Sequence, residues 1–198
     1  YADTIKKIYV KGNDRLSKET IILFSELNIN DSIDTDGVND ALKRLYETNY
    51  FRDVKIIINN NYLEIYVIEN PLIQSITIEG IKNKSILDDL SKITKKIEKY
   101  PYLENKINDQ RNALINIVRN IGFYFAEIET KVEDNNNNSV NITYSFNLGD
   151  RAKISEIKFV GNKIFKNNKL RNIIVSEENR PWKFLTSNKY LNEGRINL

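Results

Sequence analysis

Ile73-Gln74-Ser75-Ile76-Thr77-Ile78-Glu79-Gly80 carries the pattern I-x-x-I-x-apolar-x-G. The chain repeats it as Ile5-Lys6-Lys7-Ile8-Tyr9-Val10-Lys11-Gly12 and as Ile154-Ser155-Glu156-Ile157-Lys158-Phe159-Val160-Gly161. Alternation places Ile8/Val10, Ile76/Ile78 and Ile157/Phe159 on one face of a short strand, and the closing Gly can leave it through φ > 0, which a β-branched residue cannot. A single copy would signify only a half-buried strand ending at a turn. Three copies in similar surroundings mark a repeated module of roughly 70–80 residues, near the smallest size that folds without a staple.

Composition agrees with small soluble modules. Of 198 residues, 40% are hydrophobic and 29% charged, and no apolar run approaches the roughly 18 residues of a membrane span. The chain has no Cys, His or Met. Without Cys it forms no disulfide of its own and has no thiol nucleophile, and its compartment stays open. Without Met it reads as a fragment, or as a mature chain whose signal has been removed. The net charge is only +3. Basic and acidic residues are interspersed, with no cluster that would track a phosphate backbone, so a nucleic-acid partner is not favoured.

Outward from the repeats, the modules have one order: strand, helix, helix, strand, strand. In the first, Asn13-Asp14-Arg15-Leu16 turns and Ser17 caps a helix to about Leu27, with a loop through Asn28 to Ser32. A second helix starts near Asp34 or Asp36, its stripe formed by Val38, Ala41, Leu42, Leu45 and Tyr46, and stops at Asn49. Strands Val54 to Ile58 and Tyr62 to Glu69 form a hairpin about Asn59-Asn60-Asn61. Glu69-Asn70-Pro71 is a short, stiff joint, since Pro71 cannot donate to a sheet and biases Asn70 away from helix.

The second module opens its first helix with the capping box Ser85-Ile86-Leu87-Asp88, with Leu87, Leu90, Ile93 and Ile97 inward. Tyr100-Pro101-Tyr102 breaks the chain, and a helix with Ile107, Leu114, Val118 and Ile121 ends at Gly122. A strand from Phe123 to about Val132 and a turn at Asn135 to Asn138 lead to a return strand with Val140, Ile142, Tyr144 and Phe146 alternating. The third module begins at Arg151 with a strand to Gly161 and a helix around Asn168 to Val175. The chain ends at Leu198, where its second helix is due, and a module lacking two of three strands is expected to be poorly ordered or completed by another copy. The divisions are therefore 1–70, 71–149 and 150–198.

The order of elements, repeated with Glu-Asn-Pro at a joint, resembles POTRA domains, the periplasmic modules of the Omp85 superfamily. Tyr46-Glu47-Thr48-Asn49-Tyr50-Phe51-Arg52-Asp53-Val54 resembles the Y-x-T-G-[YN]-F-x-D-V signature of its assembly-factor members, with Asn49 in place of the usual Gly, a mild departure because both accept φ > 0. Gly122-Phe123-Tyr124-Phe125-Ala126-Glu127-Ile128 resembles the matching site of a second domain, and Pro181-Trp182-Lys183-Phe184-Leu185-Thr186 the interhelical loop of a third. The resemblance spans the chain and implies an α+β fold of tandem β-α-α-β-β modules, each a three-stranded mixed sheet covered by two helices. It further implies a periplasmic location and, as partners, nascent outer membrane β-barrel proteins, accessory lipoproteins and a membrane β-barrel of the same full-length chain. Alternatives are another Omp85-type secretion or translocation pore and a KH-like RNA-binding array. The KH reading needs a G-x-x-G loop that every module lacks.

Nothing in the chain supports an enzyme or a cofactor. The usual bases, nucleophiles and transition-metal ligands are missing, and there is neither a P-loop nor G-x-G-x-x-G. Asp31, Asp34 and Asp36 lie close together, but Ser32 and the absent late Glu fit helix capping better than a Ca²⁺ loop. What remains is binding at strand edges, where an extended guest adds as another strand. The resemblance points to Val54, Lys55, Ile56, Ile57 and Ile58, and to Ile128, Glu129, Thr130, Lys131 and Val132. Lys55, Glu129 and Lys131 can equally be charges that blunt those edges against aggregation.

Overall fold

A computed structural model describes residues 3–59 and 61–153 and, beyond these, 155–158, 160, 161, 164, 169 and 170. In the order of the chain, β1 (Asp3–Thr4), β2 (Lys7–Lys11), α1 (Lys18–Ser25), β3 (Ser32–Ile33), α2 (Thr35–Glu47), β4 (Phe51–Asn59) and β5 (Tyr62–Glu69) come first. They are followed by β6 (Leu72–Glu79), α3 (Lys84–Thr94), a 3₁₀ turn (Lys95–Ile97), α4 (Glu104–Asn120), β7 (Glu127–Asn135) and β8 (Ser139–Asn147). The fold is α+β, with two three-stranded mixed sheets ordered β2-β5-β4 and β6-β8-β7. By contact, the chain divides into Tyr1–Gln74 with Lys99–Leu103 and Asp134–Val140, and Ser75–Glu98 with Glu104–Glu133 and Asn141–Leu198.

In the first unit, β2 runs parallel to β5, with Ile8 opposite Leu63 and Val10 opposite Ile65, while β4 runs antiparallel to β5. A parallel pair needs a long crossover, and α1 and α2 supply it. Each helix is capped as its sequence suggests: the Ser17 side chain accepts the Thr20 N–H at 3.1 Å, and Asp34 that of Gly37 at 2.9 Å. Leu63, Ile65 and Val67 of β5 face inward onto Ile21, Ala41 and Leu45 of the helices, all buried. Gly12 leaves β2 at φ +83°, and a Cβ there would overlap the Val67 carbonyl oxygen, so both the dihedral and the close approach demand glycine.

Two details differ from the sequence expectation. Helix α1 stops at Ser25, because Glu26 takes the left-handed conformation at φ 55° and its N–H turns back to the Leu23 carbonyl; Leu27 is buried from outside the helix. The stretch expected as a loop to Ser32 ends in β3, which pairs antiparallel with β1. Two-residue strands carry too little periodicity to be read from sequence.

In the second unit α3 is capped by Asn83, which accepts the Ile86 N–H at 3.2 Å, so Ser85 of the expected box lies inside the helix. The S-x-x-D spacing was satisfied two residues too late, and Asn is as good a cap as Ser. The buried apolar side chains of this unit include Leu90, Ile107, Leu114, Val118, Ile142 and Tyr144. The Tyr144 hydroxyl donates to the Gln110 side chain at 2.8 Å, which satisfies its one buried polar atom. Strand β7 starts at Glu127, four residues later than expected, because Gly122 at φ 105° and the turns after it consume Phe123 to Ala126.

Of the third repeat, Ile154, Phe159, most of the helix expected at Asn168 to Val175, and the Pro181–Thr186 loop lie outside the described residues. Residues 155–158 and 160 carry no strand, contrary to expectation, although Gly161 does take φ +79°. The first two copies become strands by pairing with a hairpin strand of their own module, β2 on β5 and β6 on β8.

Candidate functional site

Val54, Lys55, Ile56, Ile57 and Ile58 all lie on β4, at an outer position of its sheet. Val54 is buried, Ile56 and Ile58 are half-buried against the core, and Lys55 is exposed on the other face. The edge is closed at its first residue. The Tyr46 hydroxyl receives the Val54 backbone N–H at 3.0 Å and lies 3.3 Å from an Asp53 carboxylate oxygen, to which it donates. A strand turns alternate peptide groups to alternate sides, so Val54, Ile56 and Ile58 direct theirs away from β5. Of the outward N–H groups of this stretch, that of Val54 is already taken by a side chain.

The same contact explains the Tyr46 to Val54 motif. Asn49 ends α2 at φ 62°, Thr48 accepts the Tyr50 N–H at 3.2 Å, and the Asn70 side chain donates to the Asn49 carbonyl at 2.9 Å. The motif is a latch that delivers the chain from α2 into β4.

Ile128, Glu129, Thr130, Lys131 and Val132 lie on β7, an outer strand of the second sheet. Ile128 and Thr130 are half-buried; Glu129, Lys131 and Val132 are exposed. Lys131 pairs with Glu133 two residues along at 2.7 Å, and that carboxylate raises the Lys131 pKa. Arg111, Asn112, Ile115 and Arg119 of α4 face Ala126, Glu127 and Ile128 across a cleft of about 300 Å³. The two arginines were not foreseen. Their signal in the sequence is the i, i+4, i+8 spacing of Arg111, Ile115 and Arg119, which runs beside the apolar stripe of Leu114 and Val118.

Glu69, Asn70 and Pro71, the expected joint, occupy a polar node of the first unit. Backbone N–H groups of Asp14 (2.9 Å), Arg15 (3.1 Å) and Leu16 (3.0 Å) all donate to one Glu69 oxygen, and Arg15 Nε donates to the other at 3.2 Å. The Glu69 side chain is only 1% exposed, so these four donors replace water for a buried carboxylate. Arg15 also donates to the carbonyls of Asn70 and of Asn138, the latter at 2.7 Å, and the Pro71 carbonyl accepts the Tyr102 N–H at 2.7 Å. Arg15 had been read only as part of a turn.

On the exposed face of the first sheet, Lys11 donates to Glu64 at 3.1 Å and to the Tyr66 hydroxyl at 3.2 Å, and Tyr66 donates to Glu64 at 2.6 Å. The Tyr66 bond and then the Lys11 bond hold the Glu64 carboxyl below its usual range; Tyr66 and Glu64 raise Lys11. Of the three aspartates, Asp34 caps α2 as expected, and Asp31 instead accepts the Asn28 N–H at 2.9 Å in the preceding turn. Among the described residues no group of three or more potential ligands is arranged for a metal ion, and no helix is long and apolar enough to cross a membrane.

Residues 71–149 match the family model of POTRA, described as surface antigen variable number repeat. The chain is 28% identical over 98% of its length to the outer membrane protein assembly factor BamA of Neisseria meningitidis serogroup B. It is 24% identical over 90% of its length to BamA of Neorickettsia risticii, and in each case it spans 24%, about a quarter, of the relative. Among solved structures, the N-terminal domain of Omp85 from Thermosynechococcus elongatus matches all of this chain and 83% of its own with a TM-score of 0.53 at 8% identity, a likeness of fold. The match to the POTRA family model thus covers residues 71–149, and similarity to BamA proteins runs over nearly the whole chain.

Proposed function

We propose that this chain is the periplasmic POTRA arm of an outer membrane protein assembly factor. It receives unfolded β-barrel clients as added strands at β4 and β7, docks accessory lipoproteins, and belongs to a longer protein that ends in a membrane β-barrel. The similarity to BamA supports the setting. The single observation that carries the mode of binding is that each hairpin keeps one strand at the outside of its sheet. An outer strand offers N–H and C=O groups in a fixed repeat, so affinity comes from the guest's backbone and little sequence is demanded of it. That is the chemistry required of a receptor for many β-rich clients.

The test is titration of the ¹⁵N-labelled chain with a short strand peptide from an outer membrane β-barrel. Amide shifts are expected at Ile56 to Ile58 and at Ile128 to Val132. Shifts confined to other residues would overturn the reading.

A further inference from the structure

The cleft between α4 and β7 has a charge arrangement that backbone pairing alone does not require. Arg111 and Arg119 lie two helical turns apart on one side of α4, with Ile115 between them, and face Ala126 and Ile128. Among the described residues the Arg119 Nε, shielded from solvent, has no hydrogen-bond partner, and Arg111 reaches the Asn112 side chain at 3.4 Å. Glu127 also lines the cleft, and among the described residues no ion pair joins it to either arginine. Thr130, on the same strand face as Ile128, has a buried hydroxyl that is likewise unpartnered. A shielded guanidinium N–H without an acceptor is costly, and an arriving carboxylate removes that cost with a charge-assisted bond.

We infer that this cleft selects extended guests that carry a side-chain carboxylate on the face turned toward α4, bound by Arg119 and Arg111. The inference rests on the reading of β7 as a docking edge. A strand added there alternates its side chains between the cleft and the opposite face of the sheet. On that face β7 presents Glu129 and Glu133, with Lys131 held by Glu133, so basic residues of the guest are favoured between its acidic ones. The preferred occupant is thus a segment alternating acidic with basic or polar residues. Adjoining positions on β7 and α4 supply the complementary charges.

The experiment uses the whole 198-residue chain and two end-capped strand peptides that differ only in carrying Glu or Gln at successive alternate positions. Both are expected to shift the amides of Ile128 to Val132. The Glu peptide should bind about tenfold more tightly at low salt, and Arg119→Gln or Arg111→Gln should remove that difference while leaving the Gln peptide's affinity unchanged. Arg111, whose guanidinium already reaches the exposed Asn112 side chain, serves if the Arg119 variant loses its dispersed amide spectrum. Equal affinities of the two peptides for the unaltered chain would overturn the selection and leave strand addition standing. Absence of any shift on β7 with either peptide would overturn the docking edge itself. A third peptide, with Gln and a free C-terminal carboxylate, separates the sources of charge: tight binding by it alone would overturn the side-chain assignment.

Discussion

At the residue scale the chain depends on a few polar atoms in places that tolerate no substitute. Glu69 is the clearest, since its buried carboxylate gathers three backbone N–H groups and the Arg15 Nε. Glu69→Gln places an amide NH₂ where one oxygen stood and leaves Arg15 facing a donor. We expect a loss of about 3 kcal/mol, the scale for breaking a buried charged pair, read as a lower denaturant midpoint at unchanged slope. A midpoint equal to that of the unaltered chain would show the node to be incidental. Tyr46 predicts a different outcome. Tyr46→Phe removes the acceptor of the Val54 N–H and should cost about 1 kcal/mol. It also opens one more outward peptide group on β4, so peptide titration should show the shifts extending from Ile56 back to Val54.

At the scale of elements, charged and phenolic groups on neighbouring strands tie one another down. On the first sheet, the exposed face is tied by Lys11, Glu64 and Tyr66. The Glu64 pKa is lowered in the folded chain, chiefly by Tyr66 and then by Lys11. A depressed carboxyl stabilises the fold above its unfolded pKa, and that contribution fades as pH falls through the folded value. Melting temperatures of the unaltered chain and Glu64→Gln should therefore differ most near neutrality and converge below about pH 4. Lys11 is shifted upward, so its share is present at neutral pH and is lost only as pH rises through its folded value. An unchanged gap between pH 7 and pH 3 would refute the Glu64 contribution.

The element scale also shows what was legible. Strand β5 was readable at its full length because its alternation is unbroken, and α2 because Val38, Ala41, Leu42 and Leu45 follow the helical period. The start of β7 was misread, since Phe123 to Ala126 are as apolar as a strand and only the turns after Gly122 keep them out of the ladder. The candidate edges were legible as segments. That Val54 is already satisfied by a side chain eight residues back has no counterpart in strand alternation.

At the scale of the molecule, the first compact unit draws on three separated stretches, Tyr1–Gln74, Lys99–Leu103 and Asp134–Val140. Within it, Arg15 donates to the Asn138 carbonyl, and the same oxygen accepts the Leu72 N–H at 3.1 Å. A piece cut after residue 70 keeps β2, β4, β5 and both helices but loses these partners. We expect it to fold and to melt several degrees lower than the same residues in the whole chain, because 1 kcal/mol shifts a domain of this size by about 4–8 °C. Residue-resolved thermal NMR of Leu45 and Leu63 in both forms measures the difference. Equal midpoints would mean that the distant stretches contribute nothing.

By itself the sequence determined the order of elements of the first two modules, the helix cap at Ser17, a second cap at Asp34 or Asp36 and the glycine exits, because each of these rests on neighbours within a turn or a strand. Only the tertiary structure decided that Arg15 and Glu69 share one node, that Tyr46 closes part of the β4 edge and that Arg111 and Arg119 face β7. Arg15 and Glu69 stand 54 positions apart. No periodicity records which distant donor will meet a buried acceptor, since burial is fixed by packing and the search for a partner is settled in space.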